Sequence, residues 1–447
     1  MAHTNLTRRS FIGTASLASL TLAACGGGSS DGGATTTAAF DGKVTGSVSA
    51  HIQGYDWGAG VDKITLVLDQ ALDAIDVDSL TVTEHKQTTD WTAEDFPIIE
   101  ADFPRTITAA SVDGTNIELE LACDPNSGSP FLYTMATGYN TWSDPYELNI
   151  AIAEGAELTV GGEAVTELAV DAMPNEFTNS AAEQGWSTDS METAAGTTFQ
   201  YAYWNPEAES KNLVVWLHGA GEGGTEATDP WVTILANKVV ALSEDAFQET
   251  VGGAHVVAPQ SPTIWMDQDG NHTYPDEENV APVASIYTEA LEEFIDTYAE
   301  QVGAEKIFVC GCSNGGFMTL WMGLHRPDKY VGIAPICEAI HDEAISDEQI
   351  EGIKDLPMYF VWSDDDTTVV PETHEIPTVE RLKKAGAAEL HVSTTEHVVD
   401  TSGEYKDEEG NPYMYMGHWS WIYFDNNECE CNDDGLKVFD FIAECFK

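Results

Sequence analysis

Positive charge is scarce in this chain. Its 447 residues include 18 Lys and Arg against 76 Asp and Glu, a formal net charge of −58. Such a surface repels a polyanion, which excludes nucleic acid as a partner. The surplus of acid reads as a solvated exterior that keeps the protein soluble, and it speaks to solubility rather than to fold. Long apolar runs are also missing: beyond the first 25 residues none is long enough to span a bilayer. No Gly-Lys-Ser/Thr follows the glycine-rich stretch at 217–224, which removes a phosphate-binding loop. Paired cysteines at zinc spacing are absent, since Cys429-Glu-Cys431 has no second pair, and the acid-rich "DNNECECNDDG" lacks the spacing of a calcium loop. No metal is expected.

What is present begins with an address. "TRRSFIGTASLASLTLAAC" joins a twin arginine to a short stretch of apolar and small residues ending at Cys25. Leu22-Ala23-Ala24-Cys25 resembles a bacterial lipobox, which implies cleavage before Cys25 and lipidation on it. "GGGSSDGGATTT" follows as a flexible tether, so residues 1–25 are read as the signal and 26–42 as the tether. The expected location is outside the cell membrane, held there by the lipid, and the twin arginine suggests export after folding. Removing Cys25 leaves seven of the eight cysteines, an odd number, in a compartment that permits disulfides.

From about residue 43 to 175 the pattern has period two. "VTGSVSAHI", "DKITLVLD", "NIELELA" and "PYELNIAIA" alternate between turn residues, which predicts a β-sandwich. After a polar join the text changes. "NLVVWLHG", "AHVVAP", "KIFVCG", "YVGIAPI" and "PMYFVWS" read as buried strands, interleaved with helical stretches such as "VASIYTEALEEFIDTYAEQ". That is the signature of an α/β domain, assigned to residues 183–447.

"CGCSNGGF" places Ser313 between the strand "KIFVCG" and the helix "GGFMTLWMGLH", the context of a nucleophile elbow. A sharp strand-to-helix turn strains the serine backbone, and only small residues at Gly311 and Gly315 avoid collision. A hydroxyl nucleophile needs a base, and the base needs an orienting carboxylate. In this fold class they follow in the order nucleophile, acid, histidine. "MYFVWSDDDTTVVP" is a strand running into three acids; Asp366 is selected because Asp366-Thr-Thr-Val-Val-Pro371 resembles the acid loop of prolyl oligopeptidase-like hydrolases, with Asp364 and Asp365 as alternatives. For the base, His418 in "YMGHWSW" leads over His397 in "TTEHVVD". The turn "LHGAGEGG" after a strand offers backbone N–H groups to an oxyanion: Ala220 and Asn314 are the expected donors, with Gly221 an alternative. His218 reads as a structural histidine of that turn. Trp265 and Trp419 are the expected substrate-binding aromatics, with Trp231 and Trp421 behind them.

With "HGAGEGG", "GCSNGGF" and "GHWSW" in hand, the chain resembles α/β-hydrolases of the polyhydroxybutyrate depolymerase and feruloyl esterase type. It resembles more closely the esterases that carry an immunoglobulin-like domain before the hydrolase. The resemblance implies an α/β-hydrolase fold behind an all-β immunoglobulin-like sandwich, a small or polymeric carboxylic-ester substrate, and no cofactor. In some feruloyl esterases and tannases a cysteine beside the nucleophile is bridged to one beside the histidine. Gly417 and Trp419 flank His418, so that bridge does not transfer. Strands "KIFVCG" and "YVGIAPIC" are consecutive in an α/β-hydrolase core, about 4.8 Å apart, which leads to the expectation of a Cys312–Cys337 disulfide. A second bridge is expected among Cys429, Cys431 and Cys445. Two other functions compete with the esterase: a serine peptidase of the prolyl oligopeptidase-like type, and a non-catalytic surface binding protein.

Overall fold

The computed structural model describes residues 39–225, 228–274, 280 and 282–447. The twin-arginine leader, Cys25 and most of the tether lie outside the described residues. Among the described residues, no helix is long and apolar enough to cross a membrane.

The first half is all β. One sheet runs β12 (Glu167–Val170), β1 (Lys43–Tyr55), β2 (Gly58–Leu68), β6 (Asn116–Leu121), β5 (Ile107–Asp113), with β13 (Phe177–Asn179) also paired to β1; a second runs β4 (Ile98–Arg105), β3 (Leu80–Thr89), β9 (Tyr146–Ile152). Two short ribbons complete it, β7–β8 (Phe131–Thr134, Tyr139–Trp142) and β10–β11 (Thr159–Val160, Glu163–Ala164). β6 shows why the strands form: in "NIELEL", Ile117, Leu119 and Leu121 are buried while the residues between them face water. Period two puts one face in the core and the other in solvent. The sandwich core also encloses charge, with Arg105 Nη1 donating to Glu84 Oε2 at 2.8 Å, both side chains fully buried.

The second half is built on one eight-stranded sheet in the order β14 (Ser187–Glu192), β15 (Thr198–Trp204), β17 (His255–Gln260), β16 (Asn212–Leu217), β18 (Lys306–Cys312), β19 (Gly332–Ile336), β20 (Met358–Ser363), β21 (Leu390–Thr395). The first two pairings are antiparallel and the rest parallel. The central strands are covered on both faces, which is why β17 and β20 are buried along their whole lengths and read as continuous apolar runs. The helix Thr288–Val302 lays Leu291, Phe294, Ile295 and Tyr298 on the sheet and stops at Gly303, whose φ of 71° favours a residue without Cβ. The expected fold class is observed as an α/β-hydrolase sheet behind an all-β region built as a sandwich. The carboxyl ends of β16, β18 and β20 carry the residues singled out above.

Candidate active site

Ser313 is the hinge between β18 and the helix Asn314–His325. Its φ of 56° and ψ of −117° are outside the comfortable regions for a residue with a side chain. Two backbone bonds hold it there: Ser313 N–H donates to Ile336 O at 2.9 Å, and Phe317 N–H donates to Ser313 O at 2.8 Å. The flanking glycines are required by contact. A Cβ on Gly315 would lie 1.8 Å from Leu217 O, one on Gly311 2.3 Å from the same oxygen, and one on Gly316 2.5 Å from Ile336 O. The elbow is therefore jammed against the end of β16, which continues directly into the "HGAGEGG" turn.

The three acids after β20 divide their work. Asp366 is buried; its Oδ1 accepts from the N–H groups of Thr368 and Val369 at 2.8 and 3.0 Å, and its Oδ2 accepts from His418 Nδ1 at 2.7 Å. That bond commits His418 Nδ1 as the donor and leaves Nε2 for another partner. Asp365 points elsewhere. Its Oδ2 accepts from His397 Nδ1 at 2.7 Å, and Ser363 Oγ donates to its Oδ1 at 2.6 Å. Both candidate histidines thus hold an aspartate, but His418–Asp366 is buried and His397–Asp365 is open to solvent. The loops meet at Gly417, where a Cβ would stand 2.1 Å from Asp365 Oδ1 and 2.7 Å from Asp365 O.

Ala220 opens a 3₁₀ turn, Ala220–Glu222, and lies with Ser313 and Asn314 on one cavity of about 230 Å³. Asn314 is the first residue of its helix, so its N–H has no intrahelical acceptor and is free to face that cavity. The Asn314 side chain is turned away, with Oδ1 accepting from Trp265 N–H at 2.6 Å. His218 is fully buried: Nδ1 donates to Gly219 O at 2.6 Å and Nε2 accepts from Ser261 N–H at 3.0 Å. Burial pushes its pKa down to about 4, and the two bonds need the neutral ring. It props the turn.

Several expectations need correction. Trp265 has no exposed surface and packs against Phe199, His218 and Tyr287, so it is core and cannot touch a substrate. Trp419, next to His418 in the chain, is half-buried between Tyr415 and Trp421. The wall is made instead by residues such as Met266, Tyr274, Phe317, Ile340, Val369 and His374. Cys312 and Cys337 are free thiols. Parallel pairing sets Cys312 opposite Ile336, not Cys337, and Cys337 leaves the strand at φ 37° with its sulfur near Asp366 and His418. Cys312 Sγ instead accepts from Asn237 Nδ2 at 3.9 Å. Burial raises both thiols well above the usual range, so they act as small apolar groups. Cys429, Cys431 and Cys445 are likewise unbridged among the described residues. Two clusters among the described residues have atoms close enough to share an ion: Cys337, Asp366 and His418, and separately His391, Cys431 and Asp434. In the first, the Asp366–His418 hydrogen bond already uses two of the three side chains.

Residues 201–403 match the family described as Phospholipase/Carboxylesterase. The domain has the α/β-hydrolase fold, and the match is to the carboxylesterase class of serine hydrolases. Among solved structures, the chain is similar to a thermostable esterase at 19% identity and a TM-score of 0.62, with 85% of this chain and 96% of that one covered. That coverage extends the likeness of fold beyond the hydrolase domain into the sandwich. A ferulic acid esterase aligns at 13% identity over 58% of this chain and 98% of its own, TM-score 0.38. An S-formylglutathione hydrolase from Agrobacterium tumefaciens aligns at 12% identity over 59% and 95%, TM-score 0.39. No curated protein sequence matches the chain.

Two further residues bear on the site of this hydrolase. Glu222 is buried inside the turn, and Asn140, from the sandwich, donates to its Oε1 at 3.1 Å. An acid set among four glycines in "HGAGEGG" was the available signal, since glycines that tight enclose whatever side chain they surround.

Proposed function

We propose that the protein hydrolyses carboxylic esters through Ser313, His418 and Asp366. The observation that carries this reading is the buried 2.7 Å bond between His418 Nδ1 and Asp366 Oδ2, with Cys337 Sγ lying close to both and also beside the backbone N–H of the strained Ser313. Ser313 Oγ attacks the ester carbonyl as His418 Nε2 takes its proton. Asp366 holds the ring in the required tautomer and stabilises the imidazolium. The oxyanion is received by the N–H groups of Ala220 and Asn314, the second aided by the positive end of its helix. His418 returns the proton to the departing alcohol, and water, deprotonated by the same ring, releases the acid. At about 230 Å³ the cavity is below the roughly 300–1,000 Å³ of pockets for drug-sized ligands. That size supports a short acyl or single-ring group as the part held inside. The lipobox at Cys25 supports a tether to the outer face of the cell membrane.

The test is covalent. An organophosphonate should label Ser313, and Ser313→Ala should lose ester hydrolysis by several orders of magnitude while keeping the wild-type melting temperature. Labelling at another residue, or wild-type turnover by the alanine variant, removes the proposal. A panel of short p-nitrophenyl esters, feruloyl esters, polyhydroxybutyrate and peptide amides then ranks the substrates.

A further inference from the structure

The hairpin β7–β8 belongs to the sandwich by sequence, yet it contacts the hydrolase turn at three points. Asn140 Nδ2 donates to Glu222 Oε1 at 3.1 Å. The ring of Tyr139 lies against Gly224, where a Cβ would come within 2.5 Å of it and where φ is 77°. Trp142 Nε1 donates to Asp229 Oδ2 at 2.6 Å. The first contact is the informative one, because Glu222 has no ion-pair partner among the described residues. Its Oε2 stands 3.0 Å from where a Cβ of Gly219 would be, and the backbone N–H groups of Gly219 and Glu222 lean on the carboxyl. A Cβ on Gly221 would stand 2.8 Å from Asn140 Nδ2. The carboxyl group thus fills the hollow of the turn whose first residue is Ala220. Asn140 closes that hollow from the other domain.

A buried carboxyl with no charge partner is expensive, and a site keeps one only where its hydrogen bonds fix something. The titratable side chains that face it are Cys312 behind Gly219, and Tyr133 and Tyr274 on the hairpin side. Burial pushes all three upward, so none is charged near neutral pH. Burial also raises Glu222 itself to about 7, with Asn140 and the two backbone groups pulling the other way. Without Asn140, an Oε1 lone pair is left unpaired in a buried place, and the turn can relieve this by opening. Opening moves the Ala220 N–H.

We propose that Asn140 is a positioning residue for the hydrolase: through Glu222 it fixes the turn that presents the Ala220 N–H, so that the amino-terminal sandwich completes the active site. The inference rests on the reading of Ala220 as an oxyanion donor to the acyl group on Ser313.

The experiment uses the full chain and four proteins: wild type, Asn140→Ala, Asn140→Asp, and the double variant Asn140→Asp with Glu222→Gln. The double variant exchanges donor and acceptor, since the glutamine amide introduced in the turn can donate to the carboxylate introduced on the hairpin, and so rebuilds the same bond in reverse. On a short p-nitrophenyl ester, Asn140→Ala should lower kcat by roughly 10- to 100-fold, less than the roughly 10²–10³ for outright loss of an oxyanion donor, with KM within about twofold. Asn140→Asp should lose as much, and more as pH rises, because two facing carboxyls share one proton. The double variant should recover kcat to within about threefold of wild type. An Asn140→Ala kcat within about twofold of wild type overturns the proposal, and so does a double variant that fails to recover, whether it folds or not. Phosphonate titration separates this from the parent reading. If Ser313 labels stoichiometrically in wild type, the nucleophile stands and only the role of Asn140 is at issue; if it does not, the nucleophile falls first.

Discussion

Two histidine–aspartate pairs lie on neighbouring loops of this molecule, drawn from consecutive residues of one acidic run, and both have an N···O distance of 2.7 Å. His418–Asp366 is buried, with Asp366 oriented by two backbone N–H groups. His397–Asp365 is exposed, with side chains 44% and 36% accessible. Distance alone does not distinguish them. What does is the dielectric around the pair and what faces the second ring nitrogen: in water an ion pair contributes little and a base can rotate away, whereas a buried ring has one orientation. The hydrogen bond to Asp365 raises the His397 pKa, because it favours the protonated ring.

The widest separation between the two pairs should come from the rings. His418→Ala is expected to lose about 10⁴-fold or more in kcat, as removal of a triad base does, while His397→Ala stays within about twofold. Comparable losses in both would mean that the exposed pair takes part. Next come the acids: Asp366→Asn should cost roughly 10⁴-fold by favouring the wrong tautomer, and Asp365→Asn less than about twofold, read in kcat on the same ester. Gly417→Ala tests whether the pairs are mechanically linked. A methyl there must push Asp365 and shift the residue next to His418, so a loss near 10²-fold is expected without change of nucleophile labelling. A variant as active as wild type would show that the loops are free to part. The smallest effect is a titration. NMR of His397 should give a value above the usual range in wild type that falls in Asp365→Asn. The sign follows from linkage: this pairing favours the fold below the unfolded histidine pKa near 6.5, and the contribution is lost as pH rises through the folded value.

Which acid pairs with which histidine was legible only as far as the acid loop's own resemblance. In "SDDDTT" the three aspartates are chemically identical, and only the end of β20 at Ser363 decides which one turns inward. The sheet, the elbow and the order of Ser313, Asp366 and His418 could be read because strand periodicity and glycine placement are local signals. The cavity wall could not. Trp265 sits after a strand just as a substrate-facing tryptophan would, and its burial under Phe199 depends on a strand more than sixty residues earlier. Asn140 is still further from its partner, 82 residues from Glu222, with nothing in "GYNTW" to set it apart from any hairpin. The expected bridge fails for a geometric reason: the two strands are neighbours, but the register sets Cys312 opposite Ile336, and Cys337, one residue later, has already left the strand at φ 37°.

The contact of Gly311 and Gly315 with a single carbonyl oxygen, that of Leu217, bears on how this enzyme can change over generations or in the laboratory. Because nucleophile and oxyanion turn are wedged on the same atom, neither can drift without the other, and almost every substitution at 311, 315 or 316 is closed to selection. New substrate preferences must therefore enter through the walls, where Ile340 and His374 line the cavity outside the elbow and the Asp366–Pro371 loop. A mutant library aimed at those two positions samples specificity while the elbow is inherited unchanged.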